Sequence, residues 1–96
     1  MNDMNLGRYG RAHLHYLKEH EPDIYAALIR AHQLTEHCLG VEQVARERLD
    51  MLIPPLASAA GATEDLKARD PLRWVGLMNT CKAQAEELVL QELVYR

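Results

Sequence analysis

Phenylalanine is absent from this 96-residue chain and tryptophan occurs once, so core bulk has to come from Trp74, four tyrosines and aliphatic side chains. Cysteine occurs twice, at Cys38 and Cys81, too few and too far apart for a disulfide framework. Two small buried hydrophobes in a reducing cytoplasm are expected instead. Ser58 is the only serine and has no glycine elbow around it, which removes the usual serine-nucleophile arrangement. No glycine-rich phosphate loop is present. No uncharged run is long enough to span a membrane. Met1 to Gly7 has neither a cationic nor an apolar segment, so it reads as a flexible lead-in rather than a signal peptide. A basic surplus is also missing. Eleven Lys and Arg against fourteen Asp and Glu leave a net charge of −3, which argues against a strong phosphate footprint but permits a local basic patch.

What the chain does carry is helical periodicity. Asp70 and Pro71 form a cap and first-turn pair. From there Trp74, Leu77, Met78, Cys81, Ala85, Leu88 and Val89 recur on one face of a helix predicted to run to the C-terminus. Glu92 falls in the middle of that apolar stripe. If it is buried it needs a partner, with His37, Arg8 and Arg11 as the candidates, or must be protonated; if the last turns fray it stays in water. Upstream, a helix is predicted over Arg8 to His20, with Glu21-Pro22 as its stop. A second opens at Pro22 and presents Ile24, Tyr25, Leu28, Ile29 and His32 inward. A third is predicted from Glu36 to Ile53, capped by Thr35 and ended or kinked by Pro54-Pro55. Thr63 caps a short charged turn before Asp70.

Short connections make neighbouring helices antiparallel. The predicted fold is therefore all-α: a small four-helix arrangement with a long antiparallel C-terminal helical hairpin covered by two short N-terminal helices. It forms a single helical domain over residues 8–96. Val75, Met78, Ala85, Leu88 and Val89 are expected to face Val44, Ala45, Leu49 and Leu52. Leu88→Ala then costs about 2–5 kcal/mol.

The chemical constellations are weak. Five histidines show no i, i+4 pair and no neighbouring cysteine pair, so no metal site is expected. A Cys81–His37 nucleophile is disfavoured because Cys81 lies on the buried stripe, where apolar surroundings keep a thiol inert. No catalytic residue and no cofactor are predicted. Trp74 beside Arg73 is the candidate anchor for a partner, because Trp, Tyr and Arg dominate interface hot spots. Leu90 and Val94, with Leu72 further along, make a second apolar patch that predicts a two-fold homodimer contact.

Several stretches resemble the small transposon-encoded proteins called TnpV. They are Arg8-Tyr9-Gly10-Arg11, Tyr16-Leu17-Lys18-Glu19-His20, Ala45-Arg46-Glu47-Arg48-Leu49, Thr63 to Asp70, Trp74-Val75-Gly76-Leu77-Met78-Asn79 and Ala85 to Tyr95. Two features depart from the family: a shorter segment before the Tyr-Gly motif, and the Pro54-Pro55 pair. The resemblance implies a bacterial mobile element, a place beside a recombinase, and no catalytic residues. One expectation is a non-enzymatic accessory protein that binds a protein or nucleoprotein partner through Arg8, Arg11, Arg73, Trp74, Glu86, Glu87, Leu90 and Val94. The alternative is an anti-CRISPR-like inhibitor of a host defence nucleoprotein. It would block a nucleic-acid channel with clustered carboxylates: Glu42, Glu47, Asp50, Glu64, Asp65, Glu86 and Glu87.

Overall fold

In a computed structural model, which describes residues 6–95, the chain is helical and has no strand among those residues. The order is α1 (Gly7–His20), α2 (Pro22–Arg30), α3 (Leu34–Ala60), α4 (Glu64–Arg69) and α5 (Pro71–Val89), closed by a π-helical turn, Leu90–Val94. No helix among the described residues is long and apolar enough to cross a membrane. Of the lead-in, residues 1–5 lie outside the description. Leu6 is fully buried in the core and Gly7 opens α1.

The caps predicted downstream hold. Leu66 N–H donates to Thr63 Oγ1 at 3.1 Å and Arg73 N–H to Asp70 Oδ1 at 3.3 Å. Two local expectations are corrected and a third is narrowed. Thr35 is not a cap: His37 N–H donates to the Gln33 carbonyl at 2.9 Å, and the helix starts two residues earlier, at the buried Leu34. His32 is not on an inward stripe. It is exposed with φ 57, while Gln33 N–H bonds Leu28 O and His32 N–H bonds Ile29 O, the double closure of a Schellman end. Of the end or kink expected at Pro54-Pro55, the end does not occur: the third helix continues to Ala60 with both prolines inside. Proline's fixed φ is itself helical, and the turn beyond is held by the buried Ala57, although the Asp50 and Met51 carbonyls lose their donors.

The chain divides into two compact units, Met1–Arg46 with Leu90–Arg96, and Glu47–Val89, the division falling inside α3. In the first, Leu6, Leu14, Leu17, Leu34 and Cys38 form the core, with Tyr25 and Leu28 packed against it. Helix α1 runs antiparallel to the first half of α3: Tyr9 and Gly10 meet Glu42, whereas His13 meets His37. Gly10 is the contact point. A Cβ there would lie 2.8 Å from the Cys38 carbonyl oxygen, so only glycine permits this approach.

In the second unit, Leu77 shares a hollow with Ala60 and Gly61, and Thr80 to Leu88 share another with Leu56. Ascending α5 therefore meets descending α3, an antiparallel pair. Gly61, with φ 81, makes the exit: Ala62 N–H reaches Ala57 O at 2.9 Å and Gly61 N–H reaches Ser58 O at 3.2 Å. The buried residues are small: Ala57, Cys81, Ala85 and Val89. Two residues of the last helix expected to face α3 are half out in solvent, Val75 at 45% and Leu88 at 46%, as is Val44 at 48% on α3. The expected cost of Leu88→Ala accordingly falls below about 1 kcal/mol, since only part of its area leaves water.

Candidate functional site

Helix α1 begins without a capping side chain and without an acidic residue in its first turn. Its orphan N–H groups are met from α3 instead. Glu42 Oε1 accepts from Tyr9 N–H at 2.7 Å and from Gly10 N–H at 3.1 Å. Glu42 Oε2 takes Arg46 Nε at 2.6 Å from one turn along. The carboxylate is buried, against the positive end of the helix dipole, so both its charge and its lone pairs are satisfied.

One turn further along α1, the buried His13 joins two elements. A carbonyl can only accept, so His13 Nδ1 carries the proton donated to Val94 O at 2.8 Å. Neutral His13 then has only a lone pair on Nε2, and His37 Nε2, 2.9 Å away, is the donor. Burial, and then the neighbouring His13, push the His37 pKa below its ordinary value. When both rings are protonated, two N–H groups face each other and the bond is lost. Tyr16 extends the row of rings, 5.1 Å from His20 and 5.9 Å from Tyr95.

The buried carboxylate is thus Glu42 and not Glu92, which is half-buried in the π turn. Tyr95 N–H bonds Leu90 O, an i→i+5 closure that adds a residue to the turn. Val94 thereby takes the inward position that an unbroken α register gives Leu93, and it is fully buried. Val94 presents no surface to a partner, Leu90 is half-buried, and the C-terminal patch that predicted a homodimer is not there. His37 is hydrogen-bonded as a polar-core residue should be, but it is only partly covered, and His13 is the buried ring. A signal for Glu42 was present. It sits at i+4 from Cys38 and i−3 from Ala45, both fully buried, with Arg46 placed to pair with it.

The other predicted partner residues lie apart. Arg8 and Arg11 are exposed on α1. Arg73, Glu86 and Glu87 are in α5, with Glu86 half-buried and the other two exposed. Trp74 is half-buried under the Lys67 ammonium, 4.6 Å from the ring centroid, so one face is already used. Among the described residues no group of three His, Cys, Asp or Glu side chains is placed to hold a metal ion. The Cys38 thiol is pushed up to about 11 by burial.

Residues 1–94 match the family model of the transposon-encoded protein TnpV. The chain belongs to the TnpV family. No match is found among curated proteins or among solved structures. The Tyr9-Gly10 pair that carries the TnpV resemblance is the pair that meets Glu42 and Cys38, so that stretch of this transposon-associated chain has a packing reason for its residues.

Proposed function

We propose that this TnpV protein is a non-enzymatic accessory or regulatory protein of a bacterial mobile element. It works in the cytoplasm by binding a protein partner through the Glu47–Val89 unit. The observation behind this reading is apolar surface left in water. Leu72 is 86% and Met51 66% exposed, and Leu56, Ala83 and Leu88 line an open hollow of about 590 Å³ edged by Thr80, Gln84 and Glu87. Uncovered apolar surface of this kind, rimmed by polar groups, is the usual mark of an interaction site. The buried thiols suit packing rather than nucleophilic attack. The recombinase carried on the same element is the partner to test. Biolayer interferometry should show binding that Leu72→Asp with Leu88→Asp abolishes while the circular dichroism spectrum is unchanged. Equal binding by that variant would sink this reading.

The inhibitor reading draws on the acidic residues of the same unit. Glu47, Asp50, Glu64, Asp65 and Glu87 are exposed there, although Glu42 drops out of the set because it is buried, and Asp65 is paired with Arg69 at 2.9 Å. Slower DNA cleavage by a guide-directed host nuclease, restored by charge reversal at Glu47 and Asp50, would favour it over the first.

A further inference from the structure

The two histidines that join α1 to α3 in the first unit aim ring nitrogens at one another. His13 Nε2 and His37 Nε2 are 2.9 Å apart, with the ring centroids 5.0 Å apart and the planes tilted by 41°. Neither ring is loosely placed. His13 is buried, and its Nδ1–H is fixed on Val94 O at 2.8 Å, which leaves the lone pair on Nε2. The two backbones touch where Gly10 meets the Cys38 carbonyl, one turn from His13 and one residue from His37. That close approach holds the rings in register. Their contact is only part-buried, and His37 is only partly covered, so an ion can reach the pair from solvent.

An imidazole that binds a metal through one nitrogen ordinarily donates its other ring N–H to a carbonyl or carboxylate, which sets the tautomer and raises its basicity. His13 has that support from Val94. Two imidazoles on one tetrahedral zinc ion, each at about 2.0–2.1 Å, hold their nitrogens about 3.3 Å apart. Opening the 2.9 Å contact by about 0.4 Å therefore admits the ion. The proton that His37 donates to His13 then moves from Nε2 to Nδ1, a nitrogen bonded to nothing else among the described residues. Two neutral rings release no net proton in this exchange. We propose that His13 and His37 form a two-histidine site for a divalent transition ion of the zinc, nickel and copper class, bridging α1 and α3. Among the described residues no third His, Cys, Asp or Glu side chain joins them, so water completes the coordination. The spacing of the histidines gives no sign of such a site, because its ligands lie on two helices, 24 positions apart.

The test is isothermal titration calorimetry of the full chain with zinc, nickel, copper and magnesium chlorides at about pH 7.5, above the ordinary histidine range. One transition ion per chain is expected, with copper tightest and magnesium not bound, since imidazole suits the first three and oxygen ligands the last. Long-range proton–nitrogen correlation spectra of the unmodified chain should show zinc moving the Nε2 signals of His13 and His37 together, with the His37 proton now on Nδ1. His37→Gln, whose amide can still donate to His13, should weaken zinc binding by more than about tenfold. His15→Gln with His20→Gln, which removes two histidines outside the pair, should leave it unchanged. Circular dichroism of each variant checks folding. No binding at millimolar zinc, equal binding by His37→Gln, or zinc shifts confined to His15 and His20 would each overturn the proposal and leave the pair as a hydrogen bond alone. None of these results touches the Leu72 and Leu88 test, which probes the other unit.

Discussion

The two units are both helical, yet they are held in opposite ways. The first buries large side chains, Leu6, Tyr9, Leu14, Leu17 and Leu34, and threads two polar groups among them, Glu42 and His13. Its geometry is specified by hydrogen bonds that tie a helix start and a chain end to fixed partners. The second buries only small residues completely, and Leu49, Leu52, Ile53, Leu56, Leu66, Trp74, Leu77 and Met78 remain half-covered. A core of two alanines, a cysteine and a valine lets helices approach closely but removes little apolar area from water. Polar anchoring gives the first unit one arrangement. Incomplete burial leaves the second with surface to offer.

The sharpest way to break the first unit is Gly10→Ala. The new methyl would sit 2.8 Å from the Cys38 carbonyl, and the backbone has to move. A loss of about 2–3 kcal/mol in urea unfolding is expected, with exchange protection lost in α1 and kept in α5. Glu42→Ala comes next. It strips the N–H groups of Tyr9 and Gly10 of their acceptor at a buried helix start, a cost of about 1–3 kcal/mol by the same measurement. Glu42→Gln should recover part of it.

Acid should act on the first unit alone. The folded pKa of His37 lies below its ordinary 6.5, so the unfolded chain takes the proton more readily. The stability involved is complete above about pH 6.5 and is lost as the pH falls through the lower, folded value. Melting temperatures between pH 7.5 and 5 should fall. His37→Gln, whose amide can still donate to His13, should flatten the curve. The smallest effect has the opposite sign. Gly76 lies in α5 with nothing within 4 Å of an added Cβ, so Gly76→Ala should stabilise by about 0.5–1 kcal/mol. The same substitution thus separates the units, harmful at residue 10 and helpful at residue 76. Destabilisation by Gly76→Ala would mean that α5 is covered by a second molecule.

What the sequence revealed follows from what is local. Thr63, Asp70, Pro22 and Pro71 act through neighbours within four residues, so the starts of α2, α4 and α5 were legible. Gly61 marks its helix end by composition, whereas His32 makes the same Schellman end with a residue that gives no warning. Helical phase pointed to Glu92, but the π turn shifts that phase, and no single residue announces such a turn. Glu42 is held by N–H groups 32 and 33 positions away, and backbone donors leave no trace in a sequence. Arg8 and Arg11 were legible as exposed cations. The facing of His13 and His37 was not, because it needs α1 brought against α3.

Each unit also holds one of the two cysteines, Cys38 in the first and Cys81 in the second, and both are almost wholly shielded from solvent. An alkylating reagent can reach either sulfur only after its surroundings open, and the Cys38 thiol, at about 11, is hardly ionised while it stays inside. The chain therefore carries its own pair of clocks. Peptide mapping after a timed thiol pulse would count how often each half opens, and would tell whether the two open together or in turn.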